Sequence, residues 1–361
     1  MPKVYQKPQV QKENKVLKYA LSALFMALVL AFTLYIILKD SSLEEIANSL
    51  LSADWRYVLM GFGFMLVHQL CVSEVLRILL NKLVRVRMPW LAYFNTSFIG
   101  FYFNNITPSA TGGQPMEIYY LYRCRADVAG TSLVFMAMTF FNNLALVCFT
   151  SYALLAHGDL VFSSLGNIKF LLYFGYVFNG GLMLLMLGLM LFPSGLKSLS
   201  EGIVHRLEVW KILRPRPERQ VKIDSFFSQY RQSSANLFKD PLLLLRLLLL
   251  HFIQVGALLS VPYAAILALG GEKDLFLSSF ALSSTLQLAS AGFPTPGAVG
   301  LTESGFLRLF ATAIPKEKVV PAMLLSRFIN LYAFLILSAI ITVLAFLTAP
   351  LLGRHTKSLD P

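Results

Sequence analysis

Apolar residues run through this chain in long, nearly uninterrupted stretches rather than in the short alternating patterns of soluble domains. A helix needs about 20 mostly apolar residues to cross the hydrocarbon core of a bilayer. Six stretches meet that length, and each predicts a spanning helix: 17–38, 55–80, 128–156, 169–192, 241–269 and 319–347. The pattern therefore predicts an all-α integral membrane protein.

Two further apolar stretches, 89–122 and 275–314, are each interrupted by a cluster of proline and glycine. Open backbone of this kind is tolerated at membrane depth only where protein or water covers it. We interpret each stretch as a re-entrant helical hairpin, which enters and leaves the membrane on the same side.

Composition supports a membrane environment. The 361 residues are 56% hydrophobic and 14% charged, whereas soluble domains average about 45–50% and about 25%. The net charge is +12, but the basic residues lie in short segments between apolar stretches and form no aromatic and basic platform for RNA. Nucleic acid is therefore not an expected partner.

The basic segments also predict the orientation of the chain. With six spans and two hairpins, 21 Lys and Arg residues fall on one side of the membrane and six on the other. Cytoplasmic loops carry such an excess. The count predicts a multi-pass protein of the cell membrane, with both termini in the cytoplasm and the two hairpins entering from opposite faces.

The two halves of the chain match weakly at an offset of 186 to 187 residues. The matched sets are Leu51, Asp54, Pro108, Glu117, Phe141, Asn143 and Leu144 in the first half, and Leu237, Asp240, Pro294, Glu303, Phe328, Asn330 and Leu331 in the second. Because three spans separate the hairpins, the second copy would be inverted, as in transporters that bind substrate near the bilayer midplane. The predicted divisions are a basic cytoplasmic tail at 1–16, a first repeat at 17–160, a second repeat at 161–347 and a cytoplasmic C-terminal tail at 348–361. The second repeat includes the basic loop 193–240.

Each interrupted stretch predicts a short helix that begins inside the membrane. Its free N–H groups and positive dipole end would form an anion site suited to a lipid phosphate. The predicted substrate-binding residues are Pro108, Gly112, Gly113, Gln114, Glu117, Pro294, Gly297, Gly300, Glu303, Arg327 and Asn330.

The ionisable members of this set leave alternatives open. Glu117 and Glu303 are costly in hydrocarbon, so they are candidates for binding an ammonium head group or carrying a coupling proton. Alternatively, they cap their helices and pair with Arg123 and Arg308. Arg327, one turn from Asn330, would hold a phosphate or form a salt bridge to Glu303.

Other polar residues point to simpler roles. Glu74 and Arg77 are three residues apart and predict an internal ion pair. His68 and His251 have no ligand-spaced partners, and the sequence contains no metal or cofactor signature. No metal, cofactor or catalytic residue is predicted.

The strings TPSATGGQP, MEIYYLYR and GFPTPGAVGLTESGF resemble the lysylphosphatidylglycerol synthase transmembrane family, the flippase-like region of multiple peptide resistance factor proteins. The resemblance covers roughly residues 17 to 347. It implies a translocator of aminoacylated phosphatidylglycerol or another anionic phospholipid. In full-length members a soluble domain transfers lysine or alanine from aminoacyl-tRNA, but only 14 residues follow Leu347 here.

The resemblance leaves several functions open. The chain would act as a lipid translocase without enzymatic activity of its own, or as the membrane component of a phosphatidylglycerol lysyltransferase with a separate aminoacyl-tRNA-dependent transferase. A polyprenyl-phosphate or glycolipid carrier transporter, a scaffold protein and a small-solute transporter are further alternatives.

Overall fold

A computed structural model describes residues 43–210, 217–291, 293, 295–354 and 356–358. The predicted first span, 17–38, lies outside the described residues. Helices form almost all of the described part: α1 Leu43–Leu51, α2 Trp55–Leu79, α3 Trp90–Ile106, α4 Gly113–Arg123, α5 Val128–Leu165, α6 Lys169–Leu191, α7 Pro193–Val209, α8 Pro217–Lys239, α9 Pro241–Leu259, α10 Val261–Ala268, α11 Phe276–Ala289, α12 Leu301–Phe310, α13 Lys316–Arg327 and α14 Ala333–Arg354. A two-residue antiparallel strand pair, β1 Val86–Arg87 with β2 Lys357–Ser358, joins the C-terminal end to the loop after α2.

Four helical stretches of the described chain are long and apolar enough to cross a membrane: Trp55–Val84, Val128–Leu191, Pro241–Ala268 and Lys316–Arg354. They contain five of the six predicted spans. The second stretch holds two of them, because a 3₁₀ turn at Gly166–Ile168 separates α5 from α6, which pack against each other. These stretches confirm an integral membrane protein, and the count of six spans stays a prediction.

Large apolar side chains cover the outside of these helices. Leu155 is 88% exposed, Val177 is 74% exposed and Leu184 is 73% exposed. Patches of this kind are unfavourable in water and favourable against lipid tails. The exposed surface therefore fits the bilayer that the sequence predicts.

Several helices begin where an aspartate precedes an apolar stretch. The carboxylates of Asp54, Asp127 and Asp240 accept hydrogen bonds from backbone N–H groups in the first turns of α2, α5 and α9. An aspartate at this position satisfies a donor that the helix itself leaves free. The short polar links in the sequence thus set where the long helices begin.

Both interrupted stretches fold as a helix, a tight turn and a second helix. In the first, α3 is followed by a 3₁₀ turn at Pro108–Ala110, here called the first turn, and by α4, which packs on α3. In the second, α11 is followed by a 3₁₀ turn at Pro296–Ala298, here called the second turn, and by α12, which packs on α11. The predicted helical breaks are therefore present in both stretches.

The packing of the long helices brings these two units together. Helix α14 packs on α3, α5 packs on α11, and α2 crosses α9. The first turn contacts the second turn. The two interruptions, which are almost two hundred residues apart in sequence, consequently share one place in the fold.

The basic loop 193–240 contains two helices, α7 and α8, separated by residues outside the described part. Helix α8 contributes the buried side chains of Tyr230 and Leu237 to the core beneath it. Helix α8 packs against α5. This loop is therefore attached to the bundle.

Candidate functional site

The first and second turns have the same backbone conformation. Thr107 (φ −109°, ψ 146°) matches Thr295 (φ −98°, ψ 145°), and Ser109 (φ 51°, ψ 27°) matches Gly297 (φ 59°, ψ 16°). Each turn therefore begins with Thr-Pro and continues into the left-handed region. By conformation, Pro108 corresponds to Pro296.

This correspondence corrects the sequence alignment, which paired Pro108 with Pro294. Pro294 lies outside the described residues, and the turn itself begins two residues later, at Pro296. The offset between the turns is thus 188 residues, two more than the match of Pro108 with Pro294 implied. A short polar segment rich in proline and glycine gives no periodicity from which to fix its register.

The left-handed positions explain only some of the predicted glycines. Gly297 and Gly300 have positive φ values of 59° and 92°, a conformation that glycine adopts without steric cost. Gly112 has an ordinary φ of −86°. In the first turn, Ser109 and Ala110 take the positive values instead, at a cost of the order of 1 kcal/mol or more each.

Gly112 and Gly113 are required for close packing. A Cβ at Gly112 would overlap the side chain of Thr107, and one at Gly113 would overlap Asn104. The Oγ1 atom of Thr107 accepts a hydrogen bond of 2.9 Å from the Gly112 N–H and donates one of 2.7 Å to Phe103 O. The threonine therefore ties the end of α3 to the beginning of α4.

The beginning of α4 is open. Thr107 accepts the N–H of Gly112, but no side chain of the described structure caps the N–H groups of Gly113 and Gln114. Pro108, Thr111 and Gln114 are exposed around this end. The Gln114 amide donates a hydrogen bond of 2.8 Å to Thr139 Oγ1 on α5. This end of the helix keeps the character of an anion site.

The beginning of α12 is closed by its own glutamate. Glu303 Oε2 accepts hydrogen bonds from the Gly300 N–H at 2.6 Å and from Thr302 Oγ1 at 3.1 Å. Its other oxygen, Oε1, lies 2.6 Å from Arg327 Nε, with the two side chains only 4% and 13% exposed. A buried carboxylate thus already occupies the place that an anionic ligand would take.

Arg327 is also fully engaged. Besides Glu303 it donates to Thr302 Oγ1 and, at 3.2 Å, to Gly297 O in the second turn. Of the two predicted roles, the salt bridge to Glu303 is the one present. The guanidinium holds the second turn against α12 and α13.

Glu117 has a different environment. It is the fifth residue of α4, whereas Glu303 is the third residue of α12. Its side chain is buried against Gly100 of α3, where a Cβ would overlap the carboxyl oxygen Oε1. Within the described part of the chain, no residue donates a hydrogen bond or forms an ion pair with it.

The predicted pairs of these glutamates with nearby arginines are not formed. Arg123 donates to Tyr119 OH at 3.4 Å, and Arg308 lies beside Gly166. The two pairs are five and six residues apart, whereas side chains three or four residues apart are neighbours on a helix. The predicted pair of Glu74 with Arg77 is confirmed, at 2.6 Å.

Asn330 lies in a π-helix, Phe328–Tyr332, that begins directly after Arg327. The wider π turn changes the angular spacing between positions 327 and 330, on which their predicted common face rested. The Oδ1 atom of Asn330 is buried and has no hydrogen-bond partner in the described structure. Such π turns are frequent at functional sites.

Four residues that shape this region are not among the predicted site residues: Gly100, Thr107, Pro296 and Thr302. The Thr-Pro pair repeated at 107–108 and 295–296 is the signal that would have identified two of them. Gly100 and Thr302 carry no such signal, because their roles depend on contacts between helices.

The geometry defines a helical membrane protein with two broken helical hairpins that meet. A family model described as the lysylphosphatidylglycerol synthase TM region matches residues 16–338, and the chain belongs to that family. It is also similar to a UPF0104 membrane protein of Pyrococcus horikoshii, with 21% identity over 342 residues that cover 88% of this chain and 96% of the relative.

Proposed function

We propose that this chain is a membrane lipid translocase, flippase-like in function, which binds the head group of an anionic or aminoacylated phospholipid where its two turns meet. The observation that carries the proposal is the contact between two turns of identical backbone conformation, each followed by a short helix. Broken helices that meet inside a bundle are the usual substrate site of transporters with repeated halves.

The proposal includes an inverted repeat, which the packing supports. Helix α14 packs on α3 as α5 packs on α11, and α2 packs on α9. Between these two helices, His68 Nδ1 lies 3.1 Å from the carbonyl oxygen of Gln254. The two residues are 186 positions apart in sequence, the same offset that separates the matched residues Asp54 and Asp240. Contact between corresponding positions is expected along the axis that relates two repeats.

The two turns have unequal roles in this proposal. The N-terminus of α12 is neutralised by Glu303, and Arg327 is held by the same carboxylate. The N-terminus of α4 has free N–H groups and exposed Thr111 and Gln114 beside it. We therefore assign the lipid phosphate to the beginning of α4, where the helix dipole favours a negative group.

The choice of lipid rests on the family and on chemistry. The family description names lysylphosphatidylglycerol synthase, whose lipid is built on phosphatidylglycerol. An open helix N-terminus favours an anionic phosphate, and the apolar exterior of the helices suits acyl chains that remain in the bilayer. A lipid can thus move past the turns while its tails stay in hydrocarbon.

A reconstituted transport assay tests this function. Purified chain in phosphatidylcholine vesicles should move fluorescent phosphatidylglycerol between leaflets faster than fluorescent phosphatidylcholine, as measured by quenching with a membrane-impermeant reductant. Replacing Gln114 with Glu should slow the anionic lipid, because a carboxylate then competes for the free N–H groups. An acidic residue in the first turn of a helix does not destabilise it.

Gln232→Glu, the same chemical change at an exposed site on α8, is the matched control and should move lipid at the unaltered rate. Equal rates for vesicles with and without protein would reject the proposed function. Equal rates for the Gln114→Glu and Gln232→Glu variants would reject the assignment of the phosphate to α4.

A further inference from the structure

Glu117 is a buried carboxyl group with no charged partner among the described residues. The residue is only 6% exposed, and among the described residues none donates to its oxygens. An isolated ionised carboxylate is very costly to bury, whereas a protonated carboxyl is a small polar group. In this conformation the neutral form is the one that fits.

The neighbouring elements supply no cation to change that conclusion. Helices α3, α5 and α14 pack against α4. Their titratable or charged side chains, together with those of α4 and of the link between α4 and α5, are Tyr93, Tyr102, Tyr119, Tyr120, Tyr122, Arg123, Cys124, Arg125, Asp127, Cys148, Tyr152, His157, Asp159 and Arg354. All three arginines are exposed and contact other residues: Arg123 bonds to Tyr119, Arg125 lies beside Gly353, and Arg354 is at the end of α14.

Packing does not require a carboxyl group here. By the correspondence of the turns, Glu117 matches Gly305 in the second half, and the side chain that lies against Gly305 is Leu286 of α11. The contact between the two helices of the second hairpin is therefore filled by an apolar leucine from the opposite helix. An apolar residue would serve equally well to hold α4 against α3, so the carboxyl at 117 is unexplained by stability.

We propose that Glu117 is a proton-coupling site, protonated while α4 is packed on Gly100 and ionised when that contact opens during lipid movement. This inference rests on the proposed lipid translocation and adds its energy source. Ionisation requires water or a positive group beside the carboxyl. In the packed arrangement only 6% of the residue is exposed, and no positive group of the described residues lies beside it. The proton can leave only when α4 moves, so proton release and the motion of the hairpin are linked.

The chemical state of the site can be measured directly. Infrared difference spectra of the full chain at neutral pH should contain a protonated carboxyl band that the Glu117→Gln variant lacks. Glu317→Gln, which removes a carboxyl from the exposed beginning of α13, is the matched control and should retain the band. A carboxylate signal from Glu117 at neutral pH would overturn the proposal, whatever the transport result.

The coupling is tested in vesicles that contain fluorescent phosphatidylglycerol and an internal pH indicator. A pH gradient imposed across the membrane should accelerate lipid movement by the unaltered chain, with proton entry in step with it. In Glu117→Gln, whose amide resembles the neutral carboxyl but exchanges no proton, proton entry should fall to the level of protein-free vesicles. The Glu317→Gln control should keep both responses.

The outcomes separate the two proposals. Lipid movement that ignores the pH gradient, or an undiminished proton flux in Glu117→Gln, would overturn proton coupling and leave lipid translocation standing. Lipid movement that is fast only for a lipid with an amino group, and that occurs without proton entry, would show that the lipid's ammonium group compensates the Glu117 carboxylate. That result would also overturn proton coupling. Absence of any lipid movement by the unaltered chain would overturn both.

Discussion

The ion pair between Glu303 and Arg327 gives the sharpest test of how the second hairpin is held. Replacing Glu303 with Gln retains the shape of the side chain and one acceptor, but it leaves the Arg327 guanidinium buried without a negative partner. Removing one member of a buried pair costs about 3–5 kcal/mol. The side chains are 4% and 13% exposed, so this buried range applies to them.

The reverse change should cost less. In Arg327→Met, the Glu303 carboxylate still accepts hydrogen bonds from the Gly300 N–H and from Thr302, and the Met side chain fills much of the vacated volume. The double variant leaves no unpaired charge. Its loss of stability should therefore be smaller than the sum of the two single losses by about 1–3 kcal/mol, the coupling range of residues in contact.

The assay is a double-mutant cycle on reversible unfolding of the purified chain in mixed detergent micelles. The Glu74–Arg77 pair is the matched control, because its side chains are 27% and 36% exposed and pairs of that kind couple by about 0.2–1 kcal/mol. Additive losses for Glu303 and Arg327, within about 0.5 kcal/mol, would refute the reasoning that this pair locks the second turn.

Three further predictions concern packing, capping and orientation. Gly100→Ala should destabilise the protein by about 1–3 kcal/mol because its Cβ overlaps a buried carboxyl, whereas Gly63→Ala, which meets open space, should be neutral or slightly stabilising in the same unfolding assay. The pKa of Asp240 lies below its ordinary value because a backbone N–H at the beginning of α9 bonds to its carboxylate. The stability that this ionised carboxylate contributes is therefore present at neutral pH and lost as the pH falls through the acidic range. When unfolding is measured at a series of pH values, Asp240→Asn should not show this loss of stability. In a background without native cysteines, a single cysteine that replaces Arg125 should react with impermeant reagents only from the cytoplasm. One that replaces Lys316 should react only from outside. The reverse result at either position would reject the predicted topology.

The sequence by itself determined that this protein lies in a bilayer and where most of its long helices run. Apolar stretches near 20 residues long can be accommodated only in a bilayer or a very large core, and composition excludes the second alternative. The apolar stretches that begin at 55 and 241 indicated where two of the long helices begin, and Asp54 and Asp240 cap those helices in the structure. A helix start is a local matter of backbone donors and one side chain. The two interruptions were equally visible, because proline and glycine act within their own turn of chain.

Tertiary structure alone decided the partners of the charged groups and the register between the turns. Glu303 binds Arg327, which is 24 residues away on another helix, rather than the arginine of its own helix. Pro108 corresponds to Pro296 because the two turns have matching backbone angles. Those angles depend on the helices that pack around each turn, and the spacing of matched residues elsewhere in the sequence does not reveal them. Whether a buried carboxylate has a partner depends on which helices pack together, and that is settled by surfaces distant in sequence. For this reason Glu117 and Glu303, alike in the sequence, have opposite environments in the fold.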